Sequence, residues 1–391
     1  MRPISENLPK TLITLQGRTV LKRILDQLCK TGIQDITIVA SQNGLEQIRQ
    51  EVNSYEHGGL EVRVVLQGEA EDIRGAAMTG LDSAFEHVGR RSTLLTYGDI
   101  VAGPGFYESL FETGKGSGYP AASVVLRNDP RTYGVTTLTP LSTIAAVMDK
   151  AQSPDPRLGT YVLGGAFVLP PGFQEFLESK ESFTEALNDF AKSYTVAASV
   201  WGGSWTDLGY PWDIISATSA ELGLLQNSSI SSSAKVSPTA ILEPPVIVEE
   251  GVVIDHHAVI KGPAYLGKDV YAGTGALIHN NSSLEEGVVV GAYAEISNSV
   301  LQPYTSVGRG CFVGNSVTGR HVVFEPHVVT LNLMRGGPPP DRLESAVKEG
   351  RFIFKIGAMV GGNARIGANS VLHPGTSIAH GSTLAPNTVN Q

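Results

Sequence analysis

A chain of 391 residues is too long for one ordinary hydrophobic core and predicts two domains. With 41% apolar and 17% charged residues it has the composition of a soluble globular protein. Its net charge of −9 argues against a nucleic-acid surface or an anionic-membrane surface, both of which need clustered Lys and Arg.

No apolar run approaches the roughly 20 residues that cross a bilayer, and no signal-peptide pattern opens the chain. The two cysteines, Cys29 and Cys311, lie far apart, so a disulfide framework is not expected and a cytoplasmic setting is. Residues 1–226 alternate helical and strand-like stretches. Helical spacing runs through Val20, Leu21, Ile24, Leu25 and Leu28. A buried strand follows at 35–40 (DITIVA), a helix at 44–52, and a second strand at 61–66 (EVRVVL). Residues 75–85 suit a helix, and 92–96 (STLLT) a strand that ends at Tyr97-Gly98-Asp99. Such alternation predicts a mostly parallel sheet covered by helices, with ligands at the carboxyl ends of its strands. The serine-rich stretch at 227–235 (NSSISSSAK) reads as a linker. The expected division is therefore 1–226, a linker over 227–240, and a second domain over 241–391.

The second domain is periodic. From Leu242 an apolar or small residue returns every six positions, at Val248, Ile254, Ile260, Leu266, Ala272, Ile278, Leu284, Val290 and Ile296. Gln302 interrupts the register; Val307 and Val313 resume it in a new phase, and Val360, Ile366, Leu372, Ile378 and Leu384 carry it to the end. A period of six fits neither 3.6 nor 2, so neither an amphipathic helix nor an ordinary strand explains it. Coils of three six-residue sides do, each apolar side chain pointing into a narrow prism and small neighbours such as Gly267, Gly291, Gly314 and Gly367 permitting the corners. The expected form is a parallel β-helix.

Several short motifs then fall in a telling order: Arg2-Pro3 and Pro9-Lys10, Tyr97-Gly98-Asp99-Ile100, Val147-Met148-Asp149-Lys150, Gly164-Gly165-Ala166-Phe167, and Trp205-Thr206-Asp207-Leu208-Gly209. Followed by a hexapeptide repeat, this arrangement resembles the sugar-1-phosphate nucleotidylyltransferases, and most of all archaeal two-domain uridylyl- and thymidylyltransferases. The resemblance implies a Rossmann-like nucleotidyltransferase domain followed by a left-handed parallel β-helix, assembled as a homo-oligomer, commonly a trimer. It also implies a reaction in which a nucleoside triphosphate and a sugar-1-phosphate, with Mg²⁺ as cofactor, give a sugar nucleotide and pyrophosphate.

By the same resemblance Asp99 and Asp207 hold Mg²⁺, a hard cation that needs carboxylate oxygens. Gly98 lets the backbone come close enough for Asp99 to reach the phosphates. Lys10 contacts the nucleotide phosphates and Lys150 the sugar phosphate, although Ala151 stands where the family has proline after the lysine. Gly164 and Gly165 present main chain to the sugar, and Gln67 reads the base edge. UTP or dTTP with glucose- or N-acetylglucosamine-1-phosphate are the implied substrates.

Three departures accompany the resemblance. The family's first strand and glycine-rich phosphate turn have no counterpart before Arg2, which implies a start site set about 20 residues late or a truncated gene. Asp72-Ile73-Arg74 stands where the family has a Gly-Thr-Ala turn against the base, which implies altered nucleotide preference or a sugar-nucleotide-binding regulatory subunit. Arg309 occupies the position of the histidine that bifunctional relatives use for acetyl transfer, and an arginine does not act as a general base at neutral pH.

Overall fold

The computed structural model describes residues 1–391 except 57, 69–71, 128–132, 149–160, 334–354 and 391. Two units pack separately: Leu21–Trp205, and Met1–Val20 together with the described chain from Thr206 onward.

After a single 3₁₀ turn at Lys10–Leu12 comes a hairpin of β1 (Thr14–Leu15) and β2 (Arg18–Thr19). Its two loop residues, Gln16 and Gly17, both have positive φ (51° and 76°), the backbone that a tight two-residue hairpin requires. Helix α1 (Val20–Lys30) follows, and its apolar stripe of Val20, Leu21, Ile24, Leu25 and Leu28 is buried. Strand β3 (Asp35–Ala40), helix α2 (Leu45–Asn53) and strand β4 (Glu61–Leu66) form a parallel pair with a helical crossover, in register from Asp35 opposite Glu61 to Ala40 opposite Leu66. Helix α3 (Ile73–Val88) packs on this pair.

Next come β5 (Thr93–Thr96), β6 (Ile100–Ala102), α4 (Phe106–Ser117), β7 (Ala121–Leu126), β8 (Val135–Leu138), β9 (Ile144–Met148), β10 (Tyr161–Leu169), α5 (Phe173–Ser179), α6 (Phe183–Ser193), β11 (Ala197–Trp201), β12 (Trp205–Asp207) and α7 (Pro211–Leu222). A six-stranded sheet carries β11-β7-β10-β8-β9, with β5 also on β10. It is mixed, where the helix–strand alternation predicts a mostly parallel one. Strand β10 runs antiparallel to β5, β7 and β8, and β8 runs antiparallel to β9; β11 on β7 is parallel. Part of the reason is local: β8 and β9 are joined by the short stretch 139–143, and a hairpin connection makes its two strands antiparallel. Phe167, Phe173, Phe183 and Phe190 fill the core beside this sheet, with ring centroids 5.0–5.7 Å apart.

The periodic segment is a parallel β-helix of three eight-stranded sheets whose first strand is Ser229–Ile230. Val248, Ile254, Ile260, Leu266, Ala272, Ile278, Leu284, Val290 and Ile296 are all buried inside the prism, as the six-residue period requires. The break at Gln302 has a simple cause. Leu301, five residues after Ile296, takes the inward position opposite Leu284, so one side of that coil is a residue short, and Gln302 falls on the corner. The glycine after an inward residue is demanded by the neighbouring coil: a Cβ on Gly291 would sit 2.6 Å from the backbone nitrogen of Arg309.

The three outer faces differ. On the face that begins at Ser229–Ile230, the outward Tyr265, Ser283, Val300, Val317 and Met359 are buried, and α7 packs there against Ser282–Leu284, Val300–Leu301 and Val317–Thr318. The face that begins at Ile241–Glu243 keeps an outward row of Ile241, Val259, Leu277, Glu295, Phe312, Val329, Val371 and Val389, paired coil to coil and at least partly exposed.

Candidate active site

In the Leu21–Trp205 unit the site is built around the loop that leaves β5. The Tyr97 N–H donates to the Gly165 carbonyl at 2.8 Å, and the Tyr97 ring packs against Phe167 and Phe183. These contacts fix the turn from which exposed Gly98 and half-buried Asp99 project. Beneath it the Tyr107 hydroxyl lies 3.1 Å from Thr96 Oγ1. Full burial pushes the Tyr107 phenol up to about 12, and the negative charge of Asp99 adds to that push.

Gly164 and Gly165 form a bulge in β10, where the register against β7 shifts between Leu163 and Phe167. Ser123 holds it, accepting from the Ala166 N–H at 3.0 Å and donating to the Ala166 carbonyl at 2.9 Å. A Cβ on Gly164 would meet Ser123 Oγ at 2.6 Å. The Gly164 carbonyl accepts from Trp205 Nε1 at 2.9 Å, and the Gly165 carbonyl is the one Tyr97 uses. Both carbonyls thus join parts of the fold. Gly165 has φ +80°, and a Cβ there would come within 2.9 Å of Tyr97 and 3.1 Å of Ile100. Gly165→Ala is expected to lower the unfolding free energy by about 2–4 kcal/mol, adding left-handed strain to crowding, as measured by denaturant titration.

Gln67 follows β4 directly, and its Nε2 donates to the Asp72 carbonyl at 3.1 Å. Asp72 is the N-cap of α3, its carboxylate accepting from the Gly75 N–H at 2.7 Å. Arg74 donates to the Leu177 carbonyl at 3.0 Å. The departure at Asp72-Ile73-Arg74 is therefore a helix cap and a tether between elements. Trp205 meets Tyr133 edge-to-face, with ring centroids 5.6 Å apart, and the Arg127 guanidinium lies 4.7 Å from its ring and also donates to the Trp205 carbonyl.

In the other unit Lys10 opens a single 3₁₀ turn, Lys10–Leu12, preceded by Pro9. The Met1 amine donates to the Gly209 carbonyl at 2.9 Å, and the Gly209 N–H donates to the Asp207 carbonyl at 2.9 Å. Burial and then the Lys10 charge lower the pKa of that amine, while Asp213 opposes them. Lys10 and the Asp207 loop are thus neighbours through Met1. Asp213 also accepts from the Tyr210 N–H at 2.7 Å, capping α7. Lys150 lies outside the described residues.

Asp99 and Asp207 are half-buried carboxylates, hard oxygen donors of the type Mg²⁺ takes. A further acidic group, Asp35, Glu61 and His87, brings its ligand atoms within 4.8 Å of one another. Arg63 already pairs with Glu61 at 3.0 Å, and both carboxylates sit at the amino ends of β3 and β4, away from the carboxyl ends where α/β sheets bind ligands.

Residues 1–222 match the nucleotidyl transferase family. The chain belongs to that family. This nucleotidyl transferase is 25% identical over 385 residues to the bifunctional protein GlmU of Methanocaldococcus jannaschii, covering 97% of this chain and 88% of that one. It is 25% identical over 410 residues to a bifunctional sugar-1-phosphate nucleotidylyltransferase/acetyltransferase of Sulfurisphaera tokodaii, covering 100% of this chain and 94% of that one. A solved structure of a putative glucose-1-phosphate thymidylyltransferase from Bacillus anthracis superposes with a TM-score of 0.50 at 18% identity, over 59% of this transferase and 92% of that chain, a likeness of fold.

Sequence reasoning missed the contacts that brace these motifs. Ser123 and Arg127 carry no local signal. Glu285 and Gln302 do carry one: each stands directly after an inward residue, where other coils have Gly267 or Gly319.

Proposed function

We propose that the protein transfers a nucleotidyl group from a nucleoside triphosphate to a hexose-1-phosphate. An oxygen of the sugar phosphate attacks the α-phosphorus, the bond to the bridging oxygen breaks, and pyrophosphate leaves. The observation that carries this reading is the family match over residues 1–222, joined to the braced Tyr97-Gly98-Asp99 turn at the carboxyl end of β5. Asp99 and Asp207 would hold Mg²⁺, which when bound neutralises charge as the two phosphates approach. Lys10 and Lys150 steady phosphate oxygens, and Gln67, held by the Asp72 carbonyl, faces the base. UTP or dTTP with glucose- or N-acetylglucosamine-1-phosphate are the substrates proposed on the resemblance of the sequence motifs, and the Sulfurisphaera tokodaii relative is named a sugar-1-phosphate nucleotidylyltransferase. The helix cap at Asp72 supports turnover over a purely regulatory subunit, since it accounts for the internal departure without loss of a catalytic group.

The outer row from Ile241 to Val389, apolar except for Glu295, supports a homo-oligomer assembled through the β-helix, a trimer by family resemblance. A cytoplasmic setting is part of the same reading; no described helix is long and apolar enough to cross a membrane. Nucleotidyl transfer is tested by pyrophosphate release from each triphosphate and sugar phosphate pair with Mg²⁺. Release with one pair at a catalytic rate is expected. Tight ligand binding with no release from any pair would overturn the reading in favour of regulation.

A further inference from the structure

Three side chains on successive coils of the β-helix grip the backbone of residues 12–17. Glu285 is fully buried, and its two carboxylate oxygens accept from the N–H groups of Gln16, at 2.9 Å, and Gly17, at 2.8 Å. Ser283 Oγ also donates to it at 2.7 Å. Gln302 is fully buried one coil on; its amide oxygen accepts from the Thr14 N–H at 3.0 Å, and its amide nitrogen donates to the Thr14 carbonyl at 2.7 Å. That pair of bonds gives the backbone of Thr14 what a neighbouring strand would give it. One coil further, Arg320 donates to the Leu12 carbonyl at 3.2 Å.

The Leu12 held in this way closes the 3₁₀ turn that Lys10 opens, and the Ile13 N–H bonds to the Lys10 carbonyl. Lys10 itself has a four-carbon stem with little geometric preference, so the place of its ammonium depends on where its Cα is anchored. A buried glutamine or glutamate at a coil corner is costly unless its polar atoms are matched, and both side-chain bonds of Gln302 and one bond to each Glu285 carboxylate oxygen come from this one segment.

We propose that Gln302 and Glu285 are positioning residues for nucleotidyl transfer: the β-helix sets the location of Lys10 through the backbone of residues 12–17. This rests on the reading of Lys10 as a holder of nucleotide phosphates. The test is differential acylation of Lys10 in the full chain, read by mass spectrometry while Mg²⁺ with UTP or with dTTP is titrated in. In the natural protein one of these nucleotides protects Lys10. In Gln302→Met, which keeps the volume and loses both bonds, the nucleotide concentration for half-protection rises about tenfold. Glu285→Gln gives a smaller rise in the same direction and serves in its place if Gln302→Met does not fold. Ile296→Ala is the control, because it loosens the prism without touching the clasp; it lowers the melting temperature and leaves protection unchanged. No protection in the natural protein would sink the Lys10 reading itself. Equal protection in the natural protein and the clasp variants would leave that reading intact and overturn the positioning proposal.

Discussion

Asp99→Asn is expected to lower kcat for pyrophosphate release by about 10²- to 10³-fold, while thermal unfolding stays close to that of the natural protein. Asparagine keeps the shape and most hydrogen-bonding capacity of the side chain but removes the charge a divalent cation requires. The Tyr97 N–H on Gly165 and the Tyr97 ring on Phe167 and Phe183 brace the turn, and none of these contacts uses the carboxylate. Tyr107 offers an internal check. Since the Asp99 charge helps raise the Tyr107 phenol, the variant titrates that tyrosine at lower pH than the natural protein does. An unchanged kcat would remove Asp99 from the chemistry.

A chain ending at residue 226 is expected to lose cooperative unfolding and to bind hydrophobic dyes, rather than persist as a small active enzyme. Leu12, Ile13, Leu15 and Val20 are buried in the unit that the β-helix completes, as are Ile214, Ala217 and Leu222 of α7. Exposing a buried side chain of this size costs about 1.5–3 kcal/mol, against a total stability of about 5–15 kcal/mol for a typical domain. The truncation also strips Thr14, Gln16 and Gly17 of the partners that Gln302 and Glu285 supply. Dye binding, circular dichroism and gel filtration of the fragment decide the matter. A monomeric fragment with a sharp transition and natural turnover would show that the N-terminal segment stands without its coils.

The parts of the fold written in short-range periodicity were legible in the sequence. The six-residue period places Val248 through Ile296 inside the prism, and helical spacing places Val20, Leu21, Ile24, Leu25 and Leu28 on a buried face. Strand direction was not legible, because β10 reads as the same apolar run whether its neighbours are parallel or antiparallel. At the site, the turn at Tyr97-Gly98-Asp99 stands out as a strand end followed by glycine. The glycines at 164 and 165 are conspicuous too, but nothing local tells that Ser123 and Tyr97 crowd them. Asp72 could have been read as an N-cap from its place before a helix. The bonds from Gln302 to Thr14 span 288 residues, and no local pattern names a partner at that distance.

Solenoids ordinarily change length with ease, since each coil touches only its neighbours and a whole turn can be added or dropped. The stretch bearing Glu285, Gln302 and Arg320 has lost that freedom. Coils advance by roughly 4.8 Å, the spacing between paired strands. An extra turn inserted between Glu285 and Gln302 would carry one grip a full step away from the carbonyl and N–H it meets, with no matching step in residues 12–17. This section of the β-helix therefore acts as a ruler with fixed graduations, while coils added beyond Leu384 would leave its measure untouched.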